Sequence, residues 1–169
     1  MDFVLAYPQA PIECDLYMKI PKGIVVPGYD PSKYCLKLVK NIYGQKQAGR
    51  VWNKYLCEGL TNLGFQQSKI DECVWYKGST IFMYIVDDGI LCGPDQTEID
   101  SVIEDFRDQI KAGNSFDIKD CGDITDYLGI NFSKLTDGKL KLSQPHLIDQ
   151  KGKTEEDSRA FQSHFTKRS

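Results

Sequence analysis

Residues 81–92 constrain this chain more than any other stretch. Ile81-Phe82-Met83-Tyr84-Ile85-Val86 reads as a buried strand and Gly89-Ile90-Leu91-Cys92 as its return, so the pair predicts a β-hairpin with Asp87-Asp88-Gly89 at its tip. Asp-Gly is a favoured turn dipeptide in its own right. Two consecutive acids between strongly apolar strands do more than turn the chain. They concentrate negative charge where a cation or a helix N-terminus would relieve it. A third carboxylate, Asp2, stands near the start of the chain. If its strand lies beside the hairpin, Asp2 and Asp87 would hold a pair of hard cations about 4 Å apart, the arrangement used for in-line phosphoryl displacement.

The bulk properties narrow the class. With 169 residues, 41% hydrophobic and 27% charged, the chain has the size and composition of one globular domain. No apolar run approaches the roughly 20 residues of a membrane span, and no signal peptide opens the sequence, which leads us to expect an intracellular protein, cytoplasmic or nuclear, with no membrane partner. The six cysteines are scattered without a C-x-x-C pair, so they read as reduced thiols and not as zinc ligands or disulfides. A net charge of −3 does not announce a nucleic-acid binder, but its distribution is uneven. Between Pro31 and Cys57 stand Lys33, Lys37, Lys40, Lys46, Arg50 and Lys54 with no acid, interleaved with Tyr34, Tyr43, Trp52 and Tyr55. Bases among aromatics suit a polyanion with stacking faces, and a solvated helix face gives a similar pattern.

Periodicity places the remaining elements. Short strands are predicted at Asp2–Tyr7, Leu16–Ile20, Tyr34–Val39, Cys73–Tyr76, Phe116–Lys119, Tyr127–Phe132 and Lys139–Leu142, with a proline-rich excursion (Pro8, Pro11, Pro21, Pro27, Pro31) between the first and third. One helix is predicted over about 47–63, where Val51, Trp52, Tyr55, Leu56, Leu60 and Leu63 share a face and Gly64 caps the end. A second is predicted over about 96–112, with an Asp95/Glu98 capping pair, a stripe of Ile99, Val102, Ile103, Phe106 and Ile110, and Gly113 as its stop. The layout is α+β, a mostly antiparallel sheet packed on two helices. Residues 151–169 are polar and charge-dense and are expected to form a disordered tail.

Several blocks, in order, resemble the reverse transcriptase region of copia-type retrotransposon polyproteins. They are Asp2-Phe3-Val4-Leu5-Ala6-Tyr7; Leu16-Tyr17-Met18-Lys19-Ile20-Pro21-Lys22-Gly23; the long block from Leu36 through Tyr43-Gly44-Gln45-Lys46-Gln47-Ala48-Gly49-Arg50-Val51-Trp52; Ile85-Val86-Asp87-Asp88; Phe116-Asp117-Ile118-Lys119-Asp120-Cys121-Gly122 with Tyr127-Leu128-Gly129-Ile130; and Leu142-Ser143-Gln144. The resemblance implies an RNA-directed DNA polymerase (a nucleotidyltransferase of a transposable element) with a right-hand palm and part of the fingers over residues 1–150, the fingers-like portion at about 8–46. It implies two Mg²⁺ ions (Mn²⁺ as a substitute) on Asp2 and Asp87, with Asp88 in support. Tyr7 would reject a ribose 2′-hydroxyl and Gln47 would meet the incoming nucleotide. Lys119 would protonate the pyrophosphate leaving group. Lys46, Arg50, Tyr127, Leu128 and Gly129 would contact template and primer. The implied partners are a template-primer, a deoxynucleoside triphosphate, and the ribonuclease H and integrase parts of a polyprotein.

The departures shape the expectations too. The family's hairpin tyrosine is replaced by Ile85, and Tyr84, one step earlier, should point to the opposite face. Gly49 stands where the family has proline. Because the chain opens one residue before Asp2, that carboxylate is expected at a frayed end, and these 169 residues are expected not to extend a primer alone. Two other classes fit parts of the pattern. One is an inactive remnant retaining nucleic-acid binding through Lys33–Lys54; the other is a nucleotidyl cyclase, against which the Lys40–Trp52 block argues.

Overall fold

The computed structural model describes residues 1–114 and 116–145. In chain order the elements are β1 (Asp2–Phe3), α1 (Ala6–Gln9), β2 (Leu16–Lys19), β3 (Cys35–Leu38), α2 (Ala48–Asn62), β4 (Gln66–Gln67), β5 (Val74–Lys77), β6 (Thr80–Ile85), β7 (Asp88–Cys92), α3 (Gln96–Arg107), α4 (Gln109–Ala112), β8 (Ile118–Lys119), β9 (Asp126–Tyr127), β10 (Ile130–Lys134) and β11 (Leu140–Ser143). The fold is mixed α+β, and among the described residues every strand pair is antiparallel. The chain divides into two compact units, Met1–Cys121 and a second beginning at Gly122. The expected tail at 151–169 lies outside the described residues. No described helix is long and apolar enough to cross a membrane.

The first unit is built on a sheet of order β4-β5-β6-β7-β1-β8. Strand alternation sends Thr80, Phe82 and Tyr84 to the core and leaves Ile85 51% exposed on the other face. Trp52, Leu56 and Leu60 of α2 and Val102 and Phe106 of α3 cover the core face. At its centre Phe3 is fully buried, with ring centroids 5.2 Å from Trp52, 5.9 Å from Phe106 and 5.8 Å from Phe116, all edge-on. Burying one such ring stabilises by about 2–3 kcal/mol. That corrects the expectation of a frayed Asp2: Phe3 anchors the strand from within, and β7 and β8 hold it from both sides.

The α2 helix ends as its sequence predicts. Gly64 takes φ +84°, its amide donates to Thr61 O, and the Phe65 amide reaches back to Leu60 O, a Schellman cap. In mid-helix, Gly59 lets the Phe116 ring approach to where a Cβ would lie 2.4 Å away.

Four local expectations are corrected. First, the strand expected over residues 2–7 stops at Phe3; Leu5 turns at φ +51° and the chain enters α1. Gln9 then replaces the lost strand bonds, donating through Nε2 to Val4 O and Asp117 O and accepting at Oε1 from the Asp117 amide. Second, the helix expected over 96–112 breaks at Asp108, whose backbone is extended and whose carboxylate accepts from the Lys111 amide. Third, the Asp95/Glu98 pair is half a capping box: Asp95 accepts from the Thr97 amide, but Glu98 accepts from Ser79 Oγ instead of reaching back. The stripe residue Ile110 has a side chain outside the described set. Fourth, the strand expected over 127–132 is a hairpin, with Tyr127 paired to Ile130 and Leu128-Gly129 as its turn.

Candidate active site

The acidic hairpin forms with its turn one residue earlier than the Asp87-Asp88-Gly89 tip expected. Ile85 pairs with Asp88 and Tyr84 with Gly89, which leaves Val86-Asp87 as the two-residue turn. The packing of the core face requires this register. Tyr84 must point inward, and opposite it only glycine fits, since a Cβ on Gly89 would stand 2.7 Å from the Phe82 ring. Val86 carries positive φ (+56°), unusual for a β-branched residue. The Trp52 indole donates to the Val86 carbonyl at 2.6 Å, so α2 grips the turn from beneath.

The sheet register assembles the acids. Asp2 on β1 is the direct partner of Asp88 on β7 and of Lys119 on β8. Directly paired residues share a face, so Ile85, Asp88, Asp2 and Lys119 form one row across four strands on the face away from the core. Asp87 closes the end of that row, its carbonyl accepting from the Phe3 amide at 2.8 Å. The three carboxylate residues are half-buried. Burial, then the Asp87 charge, then the Asp2 charge push the Asp88 carboxyl above its ordinary range, with the N-terminal amine opposing.

That crowding of hard oxygen donors is the chemistry of a divalent-cation site. Carboxylate oxygens are the donors that Mg²⁺ or Mn²⁺ takes, and Asp2, Asp87 and Asp88 are the residues that would hold such an ion. Among the described residues, however, no group of three metal-ligating side chains stands gathered for an ion.

Beside the carboxylates lies an aromatic face. The Tyr7 ring packs on Tyr43 with centroids 4.4 Å apart, and the Tyr43 hydroxyl donates to Asp87 Oδ2 at 3.4 Å. Burial, then the Asp87 charge, hold the Tyr43 phenol above its usual range. Gly49 of α2 sits near the Tyr7 hydroxyl. Gln47 is the N-cap residue of α2, and its buried amide Nε2 has no hydrogen-bond partner.

Other expected residues sit differently. Lys46 is exposed. Arg50 and Lys54 both pair with Glu13, Lys37 pairs with Asp15 and Lys33 with Asp30, so the acid-free basic stretch is partly neutralised by acids from elsewhere in the sequence or just before it. At Glu13 burial works upward, but the Arg50 hydrogen bond and charge and the Lys54 charge outweigh it and lower the carboxyl. Tyr84 faces the core as expected; its hydroxyl accepts from Asn53 at 2.8 Å, and burial pushes its phenol far up. In the second unit, Leu128 and Gly129 both take positive φ (+52° and +78°), a turn that ordinarily favours Asn-Gly. Sequence reasoning did not single out Tyr43, the Trp52–Val86 bond or the Gln9 clamp. Tyr43 and Trp52 lie inside the long quoted block, which is the signal that could have pointed to them.

Comparison with known proteins gives a consistent result. Residues 1–156 match the family model described as reverse transcriptase (RNA-dependent DNA polymerase). The chain is 30% identical over 156 residues to the retrovirus-related Pol polyprotein from transposon TNT 1-94 of Nicotiana tabacum, covering 89% of this chain and 11% of that protein. It is 31% identical over 152 residues to the corresponding polyprotein from transposon RE1 of Arabidopsis thaliana, covering 88% and 10%. A transposon Ty5-1 protein of Saccharomyces cerevisiae is 24% identical over 147 residues, covering 85% and 45%. The chain thus spans about a tenth of the two plant polyproteins. No solved structure gives a significant match.

Proposed function

Since the chain belongs to the reverse transcriptase (RNA-dependent DNA polymerase) family, we propose that it is the palm, with a fingers-like portion at about 8–46, of a retrotransposon polymerase that transfers a deoxynucleotide to a primer 3′-hydroxyl. The observation that carries this reading is the row of Asp88, Asp2 and Lys119 ended by Asp87. Two Mg²⁺ ions on Asp2 and Asp87, supported by Asp88, would supply activation of the attacking hydroxyl and neutralisation of the leaving oxygens.

The protein's own groups do the remaining work. Phe3 and the Trp52 bond fix the carboxylates before substrate arrives, so little reorganisation is left to the reaction. Tyr7 presents a flat ring to the incoming sugar and leaves no room for a 2′-hydroxyl. Gln47 offers its unpartnered amide N–H to the nucleotide. Lys119, next to Asp2 in the sheet, donates a proton to the pyrophosphate. Lys46 and Arg50 meet the template backbone, and the turn Tyr127-Leu128-Gly129 holds the primer end. The template-primer and deoxynucleotide are the partners, together with ribonuclease H and integrase portions of a polyprotein.

Two observations favour a second reading. The carboxylates are not gathered into a three-ligand cluster, and the β2–β3 ribbon exposes Tyr17, Lys19 and Lys37. A chain that binds nucleic acid without synthesis would have those properties. The deciding experiment is Mg²⁺-dependent incorporation on a primed RNA template, alongside Mn²⁺ binding, for wild type, Asp2→Asn and Asp87→Asn. Incorporation and ion binding that both fail in the variants support the polymerase. Ion binding indifferent to both substitutions overturns it, and salt-sensitive RNA binding with neither incorporation nor carboxylate-dependent ion binding favours the second reading.

A further inference from the structure

Tyr43 joins the two halves of the proposed site. Its ring lies against Tyr7, 4.4 Å between centroids at an interplanar angle of 34°, and its hydroxyl reaches Asp87, 44 residues away in sequence. The loop that carries it is tied to the chain at Ala10-Pro11 on one side of Tyr43 and closed on itself by a turn on the other. Asn41, fully buried, donates through Nδ2 to Ala10 O at 3.0 Å and Pro11 O at 3.2 Å. Gln45 closes the turn over Tyr43, its amide donating to Ile42 O and its Oε1 accepting from the Ile42 amide. Tyr43 is therefore a side chain of fixed base, 46% exposed at its open edge.

Tyr7, in contrast, sits on a helix of four residues. A helix that short does not hold itself, so the orientation of the Tyr7 ring depends on what it packs against. The hydroxyl contact with Asp87 has the complementary property. At 3.4 Å it is longer than the usual O–H···O distance of about 2.7–2.8 Å. A contact of that length leaves the carboxylate's lone pairs open to an ion.

We infer that Tyr43 is a positioning residue for nucleotidyl transfer: its ring braces Tyr7 against the incoming sugar, and its hydroxyl orients Asp87 for the cation. The inference rests on the polymerase reading. A partner that orients a metal-bound carboxylate typically changes metal affinity by about 10–100-fold when removed. The two functions separate chemically. Tyr43→Phe keeps the ring and removes the hydroxyl, whereas Tyr43→Leu removes both.

The test uses the full chain as wild type, Tyr43→Phe, Tyr43→Leu and Asp87→Asn, each checked for native far-UV circular dichroism. Mn²⁺ affinity is read from the electron paramagnetic resonance of the free ion. Binding of dATP and ATP is read by fluorescence quenching in Ca²⁺, so no turnover is needed. Tyr43→Phe should weaken Mn²⁺ about tenfold and keep the preference for dATP over ATP. Tyr43→Leu should weaken Mn²⁺ similarly and lose most of that preference. Wild-type Mn²⁺ affinity in Tyr43→Phe, an intact dATP preference in Tyr43→Leu, or no such preference in wild type would each overturn the inference. Mn²⁺ binding that ignores Asp87→Asn would instead remove the polymerase reading beneath it.

Discussion

Trp52→Phe tests whether the long helix holds the carboxylate turn in place. Trp52 is 1% exposed and its indole nitrogen donates to the Val86 carbonyl at 2.6 Å. Phenylalanine keeps an aromatic ring against Phe3 but has no donor. Leaving the partly buried carbonyl without its partner costs about 1–2 kcal/mol. The smaller ring empties about 40 Å³, which at about 24 cal/mol per Å³ adds about 1 kcal/mol. The sum is about 2–3 kcal/mol, or a melting temperature lower by roughly 5–10 °C. The Val86 carbonyl belongs to the peptide unit leading into Asp87, so the same loss should loosen that carboxylate and weaken Mn²⁺ binding. Urea unfolding followed by far-UV circular dichroism gives the stability, because Trp52 is one of two tryptophans and its removal alters fluorescence directly. A variant within about 0.5 kcal/mol of wild type would refute the packing estimate. A destabilised variant with unchanged Mn²⁺ affinity would refute the link from helix to site.

Two further outcomes follow from backbone strain and buried charge. A β-branched residue in the left-handed region costs about 1–2 kcal/mol, against about 0.5–1 kcal/mol for the extra freedom of glycine, so Val86→Gly (φ +56° at Val86) should raise the melting temperature by a few degrees, and a clear fall would show no strain is stored there. Asp105, 8% exposed, pairs with Lys77 and Lys111. Burial pushes its carboxyl upward, but the hydrogen bonds of Lys111 and Lys77 and their charges prevail and lower it below 3.8. A lowered carboxyl stabilises the fold above its unfolded value and loses that contribution as pH falls through the folded value. Asp105→Asn should therefore cost about 2 kcal/mol near pH 7, and the gap to wild type in urea unfolding should close as pH drops below about 4. A gap that stays constant with pH would contradict the ion-pair account.

What could be read from the sequence was local. The Ile81–Cys92 hairpin follows from two apolar runs around an acidic turn, and the α2 cap from a glycine after the last apolar position. Both depend on residues a few places apart, so pattern suffices. The errors were also local, and each was decided by packing or pairing that a hydrophobic pattern does not display. The turn moved to Val86-Asp87 because Tyr84 must face the core and the Phe82 ring leaves room only for glycine across from it. The second helix broke at Asp108, which begins a new turn whose Lys111 reaches Asp105.

The composition of the site was thus written in the sequence: the carboxylates, the tyrosines and the glutamine are all within the quoted blocks. Its geometry was not. Asp2 meets Asp88 and Lys119 through sheet register, Tyr43 meets Asp87 across 44 residues, and Trp52 meets Val86 across 34. Chain proximity says nothing about such pairings. They are fixed when Phe3 enters the aromatic core and its strand slots between β7 and β8, because only a buried, fully paired strand leaves one register for its neighbours to adopt.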